Sequence, residues 1–203
     1  MDRGRAHGKP FHWPWAGSLR RVWLAVVLAV PVTAHATATA GNVERTLAIG
    51  IIAHDRGPGS DRHENGVDLN FEIQFAPLTF RLPVREMPLR PHLGATLNLT
   101  GDTSMAYAGL SARFHEQAKW FGDLMLSIAV HDGPLHKDPT GCSLYSDCGF
   151  GVRMMPRFGL EIGYRTGRGT AVSLFVDHMS HKWVIPGENE GLDHIGLRYL
   201  RPY

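Results

Sequence analysis

The chain has 203 residues, a formal net charge of +2 and 20% charged residues, which bounds it to one ordinary domain. So small a charge argues against a nucleic-acid partner, because binding a phosphate backbone rests on many cations. No stretch reaches the roughly 20 apolar residues that a membrane-spanning helix needs.

Met1–Ala40 reads as an export signal. Arg3, Arg5, Lys9, Arg20 and Arg21 make a basic region, and Val22–Val30 is an apolar core too short to span a bilayer. Small residues then alternate, offering A-x-A cleavage after Ala36, Ala38 or Ala40. The predicted organisation is a signal peptide over residues 1–40 and a single domain over 41–203.

From Gly41 onward the apolar residues recur at every second position, the period of a strand whose two sides meet different surroundings. Leu47, Ile49 and Ile51 share a face within Val43–His54. Gly66–Ala76 sets Val67, Leu69, Phe71, Ile73 and Phe75 against Asp68, Asn70, Glu72 and Gln74. Arg90–Gly101 sets Leu93, Ala95, Leu97 and Leu99 against His92, Gly94, Thr96 and Asn98. Met105–His115 is weaker, with Leu110, Ala112 and Phe114 against Ser111 and Arg113, and Trp120–His131 has Leu124, Leu126, Ile128 and Val130 in one row.

Cys148–Thr166 reads as one long strand with Arg153, Arg157, Glu161 and Arg165 on its polar side. Pro156 within it predicts a bulge or an edge. Thr170–Ser180 and Gly191–Tyr203 complete a set of eight strands.

Alternation of this kind serves a soluble barrel with an apolar interior or a membrane barrel with an apolar exterior. The polar rows carry Asp68, Glu72, Arg153, Glu161, Arg165, Asp177 and Arg198, opposite signs that can neutralise one another inside a narrow lumen. The last strand alternates up to an aromatic C-terminus, Tyr203, which is similar to the assembly signal of outer-membrane proteins. The predicted fold is all-β, an eight-stranded antiparallel transmembrane β-barrel of the bacterial outer membrane.

With both termini in the periplasm, Asp55–Asn65, Gly101–Ser104, Asp132–Asp147 and His181–Glu190 become the exterior loops. Cys142 and Cys148 share the third, where after export a short-range disulfide is expected to staple the loop tip. There are 12 histidines, but neither an HxxxH nor an HExxH run, and no metal is expected.

The final hairpin gathers chemistry. His178 and Ser180 extend the row Val172–Leu174–Val176, and Asp193 begins the row Ile195–Leu197–Tyr199. A hydroxyl, an imidazole and a carboxylate therefore meet at the loop end of two strands, on the lipid-facing wall, which is the parts set of a serine hydrolase.

These residues also carry a resemblance. His178-Met179-Ser180 followed by Asn189-Glu190-Gly191-Leu192-Asp193 resembles the motif of the lipid A 3-O-deacylase family (PagL-like acyloxyacyl hydrolases). The runs at Gly66–Pro77, Arg90–Asn98, Gly101–Leu110, Ala129–Leu135 and Gly159–Arg165 are similar as well, so the likeness covers nearly all of the chain after the leader. It implies an outer-membrane esterase that removes an ester-linked acyl chain from the lipid A of lipopolysaccharide, with no cofactor. Its partners are that substrate and outer-membrane lipid, and a homodimer is compatible with it. Carried over, Ser180 is the nucleophile, His178 the general base and Asp193 the orienting acid, where better-known members have Glu. The backbone N–H groups of His181 and Lys182 become the oxyanion donors, although His181 stands where Asn usually follows the serine. The alternative is a catalytically silent small barrel with a structural or surface-binding role.

Overall fold

The computed structural model describes residues 33–34, 45–57, 59, 64–81, 86–136, 149–182, 184–186 and 189–203. The basic and apolar parts of the leader, the cleavage stretch from Ala36 to Ala40, and both Cys142 and Cys148 lie outside the described residues.

Eight long strands follow one another: β1 Thr46–His54, β2 Val67–Gln74, β3 Glu86–Asn98, β4 Met105–Gln117, β5 Trp120–His131, β6 Met154–Gly167, β7 Thr170–Met179 and β8 Leu192–Pro202. Each pairs antiparallel with the next, and β8 pairs with β1, so these eight close into a barrel, and a short strand, Leu78–Arg81, extends the sheet beside the start of β3. The β6–β7 turn runs through three consecutive residues with positive φ, Gly167 at 116°, Arg168 at 50° and Gly169 at 78°, and the last two form the tight hairpin link that matches the strand twist. Among the described residues there is no helix.

Period two decides which side faces out. Ile51, Leu97, Leu126, Phe158 and Leu174 all stand exposed on the outer wall, and Leu197 is 67% exposed. A belt of that size is stable only against an apolar medium. Near the β4–β5 turn the belt ends in aromatic side chains. Trp120 and Tyr164 meet edge to face at 5.0 Å there, and Tyr199 on the last strand and Tyr203 just past its end are exposed.

The lumen is charged and closed. Asp68, Glu72, Arg157, Glu161, Asp177 and Arg198 are all buried. Arg198 Nη2 lies 2.8 Å from Glu72 Oε1 and its Nε 3.5 Å from Glu161 Oε1. Arg157 Nη2 reaches Asp177 Oδ2 at 2.6 Å, and its guanidinium lies 3.8 Å from the centre of the Tyr107 ring. Pairing is what makes such charges tolerable away from water. Toward the loop end the lumen turns apolar, where Met105, Tyr107, Phe150, Met155, Met179 and Leu192 pack together.

At that rim Glu64 joins the network. Burial pushes its carboxyl up, but hydrogen bonds from the His54 side chain and from the Thr103 hydroxyl and N–H outweigh this and hold it below the usual range.

The sixth strand differs from its sequence reading. It starts at Met154 rather than at Cys148 and continues to Gly167, and its pairing with β5 runs through Pro156 without a shift. The irregularities fall instead at Arg113/His115 and Arg165/Gly167. Pro156 is tolerated because its nitrogen shares the side of its carbonyl, which accepts from Ser180 N just past the end of β7. Only one ladder bond is therefore lost. One of the charges expected in the lumen, Arg153, is not there, and Arg165 stands at the lumen's turn-end mouth over the Phe121 ring. Arg153 is exposed at the rim and donates to the carbonyls of His131 and Gly133. Arg165 lies at the turn end with its side chain 33% exposed, paired to Glu116.

Candidate active site

β7 and β8 are in register so that His178 stands directly opposite Asp193. Directly opposed residues on one face are within side-chain reach, and His178 Nδ1 is hydrogen-bonded to Asp193 Oδ1. The neighbours one step along each strand, Asp177 and His194, point the other way, into the lumen, where they bond to each other. A shift of one residue would set His178 opposite Leu192 or His194 and break both pairs, so the register itself makes the acid–base pair.

Asp193 is far more enclosed than its place on the wall suggests, at 2% exposure. The loop after β1 folds over it: Gly59 N donates to Asp193 Oδ2 at 2.6 Å, and Arg56 N donates to the Asp193 carbonyl at 3.1 Å. A Cβ at Gly57 would come within 2.3 Å of Asp193 Oδ2, so the loop settles this closely only with glycine there. Gly191 plays the same part on the other side, where a Cβ would stand 2.9 Å from His178 Cε1. His178 keeps an open side, with 42% of its side chain exposed.

Ser180 follows two residues after His178, just beyond the end of β7. Its hydroxyl is bonded to the Asn189 amide rather than to His178, with Nδ2 at 3.0 Å and Oδ1 at 3.2 Å. Lys182 N faces the same oxygen at 3.4 Å. The two expected oxyanion donors thus separate. His181 N–H is held by Asn189 Oδ1 at 2.6 Å, whereas Lys182 N–H is turned toward Ser180 Oγ. The His181 ring is buried and bridges the carbonyls of Phe150 and Ile185, which braces the loop and keeps the ring off the nucleophile.

Sequence reasoning quoted Asn189 within the motif but gave it no task. Its amide is the group nearest the Ser180 hydroxyl, and its place four residues before Asp193 was the available signal. The Gly57–Gly59 cover was missed entirely, because its contacts join positions 134 residues apart.

An open groove of about 550 Å³ runs along the outer wall from this pair. Leu124, Phe158, Leu160, Val176 and Ile195 line it together with His178 and Asp193. An apolar trough with an imidazole and a carboxylate in its wall is suited to a substrate that is mostly hydrocarbon and has one reactive polar bond.

The family model described as "Lipid A 3-O-deacylase (PagL)" matches residues 78–201, a span that includes His178, Ser180, Asn189 and Asp193. No curated protein sequence matches the chain. Among solved structures, that of the outer membrane enzyme PagL superposes with a TM-score of 0.52 at 12% identity, covering 79% of this chain and 99% of that one. A de novo designed transmembrane β-barrel gives 0.43 at 12% identity over 77% and 95%. The Yersinia pestis outer membrane protein Ail in a bilayer nanodisc gives 0.43 at 10% identity over 78% and 99%. At such identities these likenesses are of fold alone.

Proposed function

The chain belongs to the lipid A 3-O-deacylase family, and from that premise we propose that it is an outer-membrane esterase that removes the 3-O-linked acyl chain of lipid A. Family and fold point to the bacterial outer membrane; the leader over residues 1–40 would deliver the chain there.

The observation that carries the reading is the His178–Asp193 hydrogen bond beside Ser180 at the edge of the apolar groove. Asp193 holds the Nδ1–H of the imidazole, which leaves Nε2 free to take a proton. The Ser180 hydroxyl turns from Asn189 to His178, gives up its proton to Nε2, and attacks the acyl carbonyl carbon. The carbonyl oxygen takes up the negative charge next to two donors already close to the nucleophile, Asn189 Nδ2 and Lys182 N–H. His181 N–H keeps the Asn189 amide in place. The tetrahedral adduct then expels the sugar oxygen, which takes the proton from His178. Water, activated by the same imidazole, releases the fatty acid from Ser180.

The groove supplies the other half of catalysis, which is orientation. A substrate chain in the trough beside His178 presents its ester at the rim, where the headgroup of a membrane lipid lies.

One observation favours the alternative of a silent barrel: the Ser180 hydroxyl rests on Asn189 and not on His178. Catalytic hydrogen bonds are often formed only with substrate bound, so the two readings are separated by turnover. The test uses the purified barrel with lipid A in mixed micelles and follows free 3-hydroxy fatty acid by mass spectrometry. Wild type should release it and Ser180→Ala should not. Equal release by the two proteins, or none by either, rejects the proposal.

A further inference from the structure

A second constellation lies inside the barrel, and the proposed chemistry does not use it. His54, Asp68 and His194 come from β1, β2 and β8, three neighbouring strands, and their exposures are 0%, 0% and 1%. Their ligand-type atoms all lie within 4.8 Å of one another. Asp68 Oδ2 is 2.9 Å from His54 Nδ1 and 3.1 Å from His194 Nε2.

The far side of each ring is already spoken for. His54 Nε2 is 2.8 Å from Glu64 Oε2, and His194 Nδ1 is 2.9 Å from Asp177 Oδ1. The other oxygen of Asp68, Oδ1, accepts from Asn98 Nδ2 at 2.9 Å. Each imidazole therefore has an outer carboxylate for one nitrogen while its other nitrogen turns inward, and both inward nitrogens converge on one carboxylate oxygen. Carboxylate-backed imidazoles of this kind are how proteins orient histidine ligands around a metal ion.

A purely ionic reading would make both rings imidazolium, with Glu64, Asp68 and Asp177 balancing them and Arg157. His194 Nε2 argues against it. That nitrogen is buried, and although it sits 3.1 Å from Asp68 Oδ2 it makes no hydrogen bond, because the direction is wrong. A proton there would be poorly aimed at Asp68 Oδ2, whereas a lone pair aimed into the cluster would meet a cation.

We propose that His54 Nδ1, His194 Nε2 and Asp68 Oδ2 form a binding site for one divalent transition-metal ion, zinc by its chemistry, with Glu64 and Asp177 as the outer carboxylates. Two imidazoles and one carboxylate favour zinc over calcium or magnesium, which take oxygen ligands. Ligands about 2.1 Å from a tetrahedral ion stand about 3.4 Å apart, so the separations of the two ring nitrogens from Asp68 Oδ2, 2.9 and 3.1 Å, need to open by about half an ångström or less. Glu64, whose side chain is 14% exposed at the rim, provides the way in. The ion would join the last strand to the first two across the closing seam of the barrel, directly behind His178 and Asp193. Two of its three ligands, His54 and Asp68, lie before the stretch that matches the family model.

The test uses the mature, tag-free barrel refolded in detergent, stripped with chelator and titrated with zinc chloride. Bound zinc is counted by elemental mass spectrometry after gel filtration, and unfolding is followed by heat. Cobalt(II) serves as a second probe, since its visible spectrum reports coordination. Wild type should hold one zinc per barrel, unfold at a higher temperature when loaded, and give the spectrum of low-coordinate cobalt. Glu64→Gln, a rim change that leaves all three inner ligands in place, should weaken binding roughly 10- to 100-fold. His54→Ala and His194→Ala should abolish it, and if neither folds, the wild-type stoichiometry and Glu64→Gln still decide. A folded wild-type barrel that takes up no zinc at millimolar concentration overturns the proposal and restores the ionic network. So does zinc binding that is unchanged in a folded His194→Ala barrel, which would place the ion on surface histidines. None of these readouts depends on whether the barrel hydrolyses lipid A.

Discussion

Replacing Asp193 by Asn tests the acid–base pair at a single atom. The carboxylate has two tasks, accepting the His178 Nδ1–H with Oδ1 and the Gly59 N–H with Oδ2. Asparagine offers one acceptor oxygen and one NH₂ in the same shape, so one of the two partners must face a donor. If the NH₂ faces Gly59, a buried backbone donor is left unmade, at a cost of about 1–3 kcal/mol. If it faces His178, the ring avoids the clash by moving its proton to Nε2, where it can no longer accept one from Ser180. The second arrangement keeps the loop in place and disables the base. In serine proteases that tautomer change lowers turnover about 10⁴-fold, or about 5.4 kcal/mol of barrier. Asp193→Asn is therefore expected to fold, to show heat-modifiable migration on gels, and to release 3-hydroxy fatty acid from lipid A about 10³- to 10⁴-fold more slowly. A variant within a factor of ten of wild type would refute the pairing as the source of basicity. The companion change is sharper still. Asp193→Glu adds a methylene where Gly57 leaves no room even for a Cβ, and a reacting group displaced by about an ångström costs about 10²-fold in rate.

Synthetic lipid A analogues that differ only in the length of the 3-O chain should show kcat/KM rising about fourfold per methylene, because each buried CH₂ contributes ~0.8 kcal/mol. Val176→Trp, which fills the groove, should flatten that series. Removing Arg198 by substitution with Ala strands Glu72 and Glu161 in a lumen where all three are fully buried. Urea unfolding in detergent should show a loss of about 3–5 kcal/mol, and an unchanged midpoint would mean that the lumen charges are not coupled. N-terminal sequencing of the chain recovered from outer membranes should begin just after Ala36, Ala38 or Ala40. A start at Met1 would sink the export reading.

The barrel was legible because period two survives in nearly every strand, and a closed meander is the simplest way to pair eight such strands in order. The pairing of His178 with Asp193 was legible for a related reason. Both lie at the loop ends of consecutive strands, and their faces are set by the apolar rows they extend, which precede His178 and follow Asp193. What stayed hidden depends on contacts between strands or loops that no local pattern encodes. Asp193 reads as a residue of the outer wall, yet a loop from the start of the barrel covers it. His54 and Asp68 sit in the first two strands and His194 in the last, and only the closure of β8 on β1 brings His194 to the other two. Pro156 reads as a break because its missing N–H costs a bond in mid-sheet. The length of its neighbour β7, which ends beside it, makes that cost small. The bulge at Arg113/His115 had no such marker.

The most direct measurement is the mass spectrum of lipid A from a Gram-negative strain that lacks 3-O-deacylase activity, after expression of this chain. Wild type should lower the mass by one ester-linked 3-hydroxyacyl group, with the primary amide-linked chains untouched. The Ser180→Ala protein, folded in the same membrane at the same level, should leave the spectrum unchanged. Intact lipid A in cells whose outer membrane contains the folded wild-type barrel, or identical loss with the alanine variant, would contradict the account.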